Sequence, residues 1–310
     1  MDDLINTLMG TIRMMLADLL RGSYQGLFTN VNGQVGLISS EVSQTPNVWN
    51  ATVYSVIETM SDNVITPIGV LIITALMCYE LIHAVLEKNG MHDVGSEFIF
   101  QWLAKACISV LLLSMTFDMS MAIFDIGSEI AVRASGEFTD STSVDTDFLN
   151  TKIDEYCNGN NDPEYEAGNT TIPHWQSYNH SIGELLGMAL EAFVCKLALL
   201  AMWIIIEVSL VGRMIEIFLY LSVAPIPFST LTNREWGNIG TNYVRSLAAL
   251  AFQAFFIVVC VGIYGVMIGE LSVAEADLET ATLKLLACAF ALIMGIRGSK
   301  NLAMSIFNAH

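Results

Sequence analysis

The chain has 310 residues, of which 54% are hydrophobic and only 14% charged, and its mean hydropathy is +0.55. A water-soluble protein usually carries about 25% charged residues, so this composition indicates a protein that sits in lipid. The formal net charge of -18 comes from 13 basic and 31 acidic residues. This charge excludes a surface that binds nucleic acid by neutralising phosphates, because such a surface needs clustered Lys and Arg.

The first predicted element is an amphipathic helix over residues 4–20. Its apolar residues recur every three or four positions, which is the period of one helical face. They are Leu4, Ile5, Leu8, Met9, Ile12, Leu16, Leu19 and Leu20. Such a helix lies in the headgroup plane of a membrane, or packs on a helix of a partner or of the chain itself. Because Met1-Asp2-Asp3 carries no basic charge, we do not expect a cleaved signal peptide.

Residues 22–50 are rich in Gly, Asn, Ser, Gln and Thr, and are expected to form an irregular polar connection. Residues 64–85 are mostly apolar and long enough to cross the roughly 30 Å hydrocarbon layer at about 1.5 Å per residue. A second span is predicted from Phe98 to about Met121. Its helix is expected to continue beyond the bilayer to Arg133, because neither Gly nor Pro interrupts it before Gly127.

Residues 134–180 are dense in Asp, Glu, Asn, Ser and Thr and still contain aromatic side chains. This composition predicts one long hydrophilic loop that folds in part or docks on a partner. Residues 181–222 are then compatible with an uninterrupted helix, until Pro225 and Pro227 stop it. A helix of this length would exceed about 60 Å, twice the hydrocarbon layer. Either one long helix leaves the membrane, or the chain breaks near Gly212-Arg213 and returns.

Two further spans are predicted over residues 246–267 and 283–307, with an acidic turn between them. The elements together predict an all-α polytopic membrane protein, with about five transmembrane helices, an N-terminal amphipathic helix and a long extracytoplasmic loop. Four segments are expected. They are an N-terminal region (1–63), a first transmembrane hairpin (64–133), the acidic loop (134–180) and a C-terminal transmembrane bundle (181–310).

The distribution of basic residues predicts the orientation in the membrane. If residues 181–231 cross once, five basic residues fall on one side: Lys88, Arg234, Arg245, Arg297 and Lys300. The positive-inside rule makes that side cytoplasmic. The N-terminus and the acidic loop are then expected outside, and the C-terminus inside.

Six ionisable residues lie within the apolar stretches, where an isolated charge costs about 2.5 to 3.5 kcal/mol. They are Glu80, Lys105, Lys196, Glu207, Arg213 and Glu216. Glu80 and Lys105 fall on the cytoplasmic half of one hairpin, so we predict that they approach each other. Arg213 and Glu216 share a helical face, where they either pair locally or line a hydrated groove. Because the signs of the six charges are balanced, a role in fixing helix register is favoured over an ion or solute pathway.

Close helix packing is predicted where small residues recur. Gly265 and Gly269 form a GxxxG pattern, and Gly295 with neighbouring alanines gives the last span a small-residue face. The sequence contains no phosphate-binding loop, zinc motif or catalytic serine motif. We therefore expect no enzymatic activity, no cofactor and no metal site.

One block of the sequence resembles a known family. Arg213 and Glu216 are followed by Pro225-Ile-Pro227, then by a polar loop with Trp236 and a span with Gln253. This order resembles the TrbL-type polytopic subunit of bacterial type IV secretion and conjugation machines, over about residues 60–307. The arrangement of five spans, with a large loop between the second and third, is similar too. Pro227 and the acidity of the loop depart from the family pattern.

The resemblance implies a non-enzymatic channel or scaffold subunit in the bacterial plasma membrane. It implies a homo-oligomeric ring, for example of five copies, together with other transfer proteins and cytoplasmic ATPases that drive the passage of DNA or protein. Contact with transferred DNA would be transient, without stable nucleic-acid binding. The compact form is similar to versions from Gram-positive mobile elements. The alternative that the residues leave open is a small-solute or ion channel or secondary transporter that uses the intramembrane charges.

Overall fold

A computed structural model of the chain describes residues 36–87, 96–138, 182–273 and 278–309, with scattered positions before residue 36. The described residues form helices and contain no strand, which confirms the all-α prediction. The helices are α1 (Pro46–Trp49), α2 (Ala51–Met60), α3 (Thr66–Glu87), α4 (Ser96–Ser114), α5 (Thr116–Phe138), α6 (Ile182–Val223), α7 (Pro225–Thr230), α8 (Gly237–Val273) and α9 (Leu278–Ile306). Apart from its first five residues, which belong to α5, the acidic loop predicted over 134–180 lies outside the described residues.

Five stretches of the described helices are long and apolar enough to cross a membrane, in agreement with the predicted number of spans. They are Ala51–Glu87, Glu97–Ser114, Leu186–Val223, Gly237–Glu270 and Thr280–Ile306. The α8 span is the most enclosed: 61% of the residues in its most apolar stretch are buried inside the protein, against 11% for the α4 span. The other helices therefore present most of their apolar side chains outward, as helices in lipid do.

The prediction that residues 22–50 are irregular is wrong over most of the positions that the structure describes, although residues 43–45 and Asn50 are not helical. Positions 22, 23, 25 and 26 and residues 36–42 are helical, and α1 follows shortly after. Polar residues carry only a modest penalty in a helix. Ile38 and Val42 are almost fully buried, so tertiary packing overrides the local composition.

The first candidate span begins earlier than predicted. Asn50 starts α2, because its side chain accepts a hydrogen bond from the Val53 N–H at 3.0 Å. A π turn, Ser61–Ile65, then joins α2 to α3, and the Thr66 N–H bonds to the Ser61 carbonyl five residues back. The polar residues of this turn lower the local hydropathy without ending the helix, which explains the later boundary expected from sequence.

The second span is interrupted at Met115, a turn residue between α4 and α5, although no Gly or Pro is present. The hydroxyls of Ser114 and Thr116 donate to carbonyl oxygens of the preceding turn, those of Leu111, Leu112 and Leu113, at 2.9 to 3.0 Å. Side-chain hydroxyls bonded in this way compete with the backbone ladder for the same carbonyl groups. The candidate span therefore ends at Ser114 and not at Met121, and the helical continuation reaches Phe138 instead of Arg133.

The third span, α6, is one helix of 42 residues. The alternative of a break near Gly212-Arg213 is therefore wrong, because the cost of one internal Gly, about 1 kcal/mol, does not end the helix. The helix stops before Pro225, as predicted. Proline has no N–H to give to the Leu221 carbonyl, which accepts instead from the Ala224 N–H at 3.4 Å.

The chain divides into two compact units. The first contains Met1–Ser39, Ser135–Glu207 and Val259–Gly295; the second contains Ser40–Ala134, Val208–Val258 and Ile296–His310. In the second unit, side chains of α5, α6, α7 and α8 form one apolar core that includes Phe117, Met121, Phe124, Ile217, Leu221, Phe228, Leu247 and Leu250. The division into the four segments 1–63, 64–133, 134–180 and 181–310 stays a prediction.

Candidate functional site: polar contacts between the apolar helices

Glu80 on α3 and Lys105 on α4 form an ion pair, with Lys105 Nζ 2.9 Å from Glu80 Oε1. The predicted approach of these two residues is confirmed. Only 19% of the Glu80 side chain is exposed, so its carboxylate needs partners in place of water. Asn233 supplies a second one, because its Nδ2 donates to the same oxygen at 3.2 Å.

Asn233 also organises the loop before α8. Its Oδ1 accepts the backbone N–H groups of Glu235 and Trp236 at 2.9 and 3.0 Å, which is the geometry of an Asx turn. Next to it, the Thr232 hydroxyl is hydrogen-bonded to the hydroxyl of Ser109 on α4. The loop is therefore fixed by side chains to both helices of the α3–α4 hairpin. Sequence patterns did not single out Asn233, since nothing distinguishes it from other Asn residues in polar loops.

Arg213 is buried on α6 in the second unit, with 7% of its surface exposed. Its Nη1 donates to the Val42 carbonyl at 3.2 Å and its Nη2 to the Leu250 carbonyl at 3.4 Å, while Nε has no partner. Val42 lies in the last turn of the helical residues 36–42, where carbonyl groups lack intrahelical donors and a cation is favoured. Arg213 therefore caps this short helix, a role that sequence reasoning did not foresee.

The end of residues 36–42 has a second side-chain partner. Ser128 on α5 donates its hydroxyl to the Ser43 carbonyl. Directly after it, the ring of Trp49 on α1 packs against Phe218 on α6. The segment that was expected to be an irregular connection is thus held by α5 and α6.

Glu216 does not pair with Arg213, so the first of the two alternatives, a local pair, is wrong. Its Oε1 is bonded instead to Nζ of Lys300 on α9, and both side chains are partly exposed. One turn separates Arg213 and Glu216 along α6, but the two side chains have partners on different elements. Lys300, which the sequence analysis uses only for the orientation in the membrane, therefore also forms an ion pair between two helices. Arg234, used in the same way, directly follows Asn233 in the loop before α8.

The Pro225 break is stabilised by an aromatic side chain. Because the Ala224 N–H is used by the Leu221 carbonyl, the Tyr220 carbonyl loses its usual helical donor. The hydroxyl of Tyr243 on α8 donates to this carbonyl. Pro225 is buried and Pro227 is half-buried, and the Pro227 carbonyl accepts from the Thr230 hydroxyl at 2.8 Å.

The remaining predicted candidates lie apart. Gln253 is buried on α8 and its Nε2 lies 3.4 Å from the Ser299 hydroxyl on α9. Lys196 is exposed and Glu207 half-buried on α6, and neither makes an ion pair with another described residue. Trp236 is 51% exposed. Within the described part of the chain, no three His, Cys, Asp or Glu residues are placed to hold a metal ion.

Small residues allow two close helix contacts in the first unit. A Cβ on Gly295 of α9 would lie 3.1 Å from Cys260 Sγ on α8, and a Cβ on Gly262 would overlap the ring of Phe138. Gly295 was predicted to lie at such a contact, and Gly262 was not. Close packing of Gly265 and Gly269 stays a prediction.

In the second unit, Gly127 makes the closest approach between α5 and α8. A Cβ added to it would lie 2.7 Å from the carbonyl oxygen of Ala251. No GxxxG pattern contains Gly127, so its packing role could not be read from the sequence.

Five apolar helices joined by buried or half-buried polar contacts define a multi-pass membrane protein. The chain belongs to the family described as TrbL/VirB6 plasmid conjugal transfer like protein, whose model matches residues 31–162 and 168–225, well over half of the chain. The resemblance noted from the sequence is thereby confirmed. The match begins earlier than the resemblance did and stops before Trp236 and Gln253. No curated protein and no solved structure matches the chain.

Proposed function

We propose that the protein is a non-enzymatic channel or scaffold subunit of a type IV secretion machine that carries out conjugative DNA transfer. Membership of the TrbL/VirB6 family supports a place in the transfer apparatus. The observation that carries the scaffold role is the pairing of intramembrane charges across elements: Glu80 with Lys105, Glu216 with Lys300, and Arg213 with two carbonyl groups. Charges held in this way fix helices to one another and are not free to conduct an ion.

The assembly proposed for this subunit is a homo-oligomeric ring, for example of five copies, in the plasma membrane of a bacterium that carries a mobile element of the Gram-positive type. Other secretion subunits, including cytoplasmic ATPases, complete the machine. The N-terminus and the acidic loop lie outside and the C-terminus inside. Transferred DNA makes only transient contact, since a chain with a net charge of -18 repels phosphates.

A small-solute or ion transporter is the second candidate. It needs charged residues that change partners along a hydrated path. Of the six intramembrane charges, only Lys196 and Glu207 are without a hydrogen-bonded or ionic partner among the described residues. No observation of the described helices favours this candidate over the scaffold.

The test uses a donor strain in which the gene is deleted from the mobile element. Deletion is expected to abolish transfer of a marked element without slowing growth, and the intact gene to restore transfer. Unchanged transfer after deletion would contradict the proposal.

Variants of one ion pair separate the two candidate functions. Glu80→Lys and Lys105→Glu alone are expected to lower transfer and the yield of the assembled complex together, because each places two like charges at one contact. The double variant restores opposite charges and is expected to recover both. Flux of ions or solutes through the purified wild-type protein in vesicles, altered by these variants while the complex stays intact, would favour the transporter.

A further inference from the structure

The N-terminal helix exposes a narrow stripe of large apolar side chains. Leu8, Ile12, Met15 and Leu19 are helical, and between 38% and 69% of each is exposed. Their spacing of four, three and four residues places them in one row along a helix. We propose that this helix lies in the headgroup layer of the membrane, with the stripe directed at the acyl chains of phospholipids.

The other side of the same helix is held by the protein. Leu20 is fully buried and Leu16 half-buried within the first unit. Asp18 is exposed, and at about 100° per residue it lies roughly a quarter-turn from the stripe. The helix thus has a protein-facing flank, an apolar stripe and a polar flank, which is the arrangement of a helix lying in the membrane interface.

Lys196 supplies an independent indication of depth. It is exposed on the candidate span of α6 and makes no ion pair with another described residue. A lysine in this position is stable only where its ammonium group reaches water or a lipid phosphate. Gly26 lies beside it, because a Cβ on Gly26 would be 3.9 Å from Lys196 Nζ. The chain just after the stripe is therefore at the depth of the headgroups, whose phosphates complement the charge of Lys196.

The occupant of the stripe follows from its surroundings. In the same unit, α6 exposes large apolar side chains on the membrane side of Lys196, among them Leu197, Leu200 and Ile204. Lipid must cover that surface of α6. The N-terminal helix belongs to the same unit, and its stripe lies at the depth of the lipid headgroups. The helix is too polar to span, since residues 8–26 include Arg13, Asp18 and Arg21. A lipid surface is thus the partner that these observations fit.

Collision measurements with spin labels test the placement. The full chain, with its native cysteines replaced, is labelled in Met15→Cys or Leu8→Cys and in the control Asp18→Cys, and reconstituted in vesicles of phosphatidylcholine and phosphatidylglycerol. Oxygen, which concentrates in acyl chains, is expected to collide with the labels at positions 8 and 15 more often than a water-soluble nickel chelate does, and the order is expected to reverse at position 18. More frequent nickel collisions at positions 8 and 15 would overturn the proposal, and so would low values for both reagents, since these indicate a protein contact.

A second measurement keeps the native cysteines in case their replacement prevents folding. Met15 is replaced by a photoreactive benzoylphenylalanine in cells, with Asp18 replaced in the same way as the control. Illumination is expected to give phospholipid adducts at position 15 and few at position 18. Adducts with a second copy of the chain or with another protein, or no adduct at all, would overturn the proposal. None of these outcomes depends on whether the protein acts in DNA transfer.

Discussion

The hydroxyl of Tyr243 replaces a hydrogen bond that is lost because Pro225 has no N–H. We expect Tyr243→Phe to leave the Tyr220 carbonyl without a donor at a buried site, which costs about 1 to 3 kcal/mol. The thermal unfolding of the purified protein in detergent measures this loss. Tyr79→Phe is the matched control, because Tyr79 is 46% exposed on α3 and its hydroxyl forms no hydrogen bond with another residue of the described part of the chain. Equal stability of the two variants would contradict the role given to Tyr243.

Arg213 is expected to hold residues 36–43 in place through the Val42 carbonyl. Arg213→Met keeps most of the side-chain volume but leaves that carbonyl uncapped, and removes hydrogen bonds to a charged donor that are each worth about 1.5 to 3 kcal/mol. Hydrogen exchange should accelerate around residues 38–44 in this variant. In Arg133→Met it should not, because Arg133 is exposed and its partner among the described residues is Glu129 on its own helix. Unchanged exchange in Arg213→Met would show that the cap is dispensable.

At the scale of elements, the contact between α5 and α8 depends on the absence of a side chain. Gly127→Ala places a methyl group 2.7 Å from the Ala251 carbonyl oxygen. Since both groups belong to helix backbones, α5 and α8 must separate, and overpacking of this kind costs about 1 to 3 kcal/mol. Over most of this range the loss exceeds the gain of about 1 kcal/mol from replacing a helical Gly by Ala.

Gly212→Ala is the control for that substitution. Gly212 lies inside α6 with no atom within 4 Å of an added Cβ, so only the gain in helix propensity applies. We expect Gly212→Ala to raise the unfolding temperature and Gly127→Ala to lower it. A shift in the same direction for both variants would refute the close contact.

The elements also show which contacts a sequence can predict. The sequence predicts the contact between Glu80 and Lys105, because both charges fall near the same end of a helical hairpin and opposite charges in lipid pair with each other. The partners of Arg213 were beyond prediction because backbone carbonyls have no sequence signature. The interruption at Met115 depends on hydroxyl geometry, since Ser and Thr occur in uninterrupted helices as well. The end of α6 before Pro225 could be predicted, because a proline lacks the N–H of a helical hydrogen bond wherever it stands.

At the scale of the whole molecule, the proposed orientation makes the α7–α8 loop cytoplasmic. Trp236 lies in this loop and is exposed, so it allows a test. We expect Trp236→Cys to react with a membrane-impermeant maleimide only after the cells are opened. The native cysteines are replaced in this background, and the same chain without an added cysteine serves as the blank. Labelling in intact cells would place the loop outside and would invert the proposed topology.

The π turn at Ser61–Ile65 sets the rotation of α3 relative to α2, so the number of residues in the turn matters. A π turn holds one residue more than a regular turn, so it rotates everything after it by about 100° relative to what precedes it. On one side Tyr54 meets the ring of Phe117, and on the other Glu80 meets Lys105. Deleting one residue from the turn would restore an ideal helix and put these two contacts out of phase. The deletion would make the helix more regular but would lower the stability of the folded protein, because both contacts are lost. Insertions and deletions between related chains are therefore expected to avoid this turn.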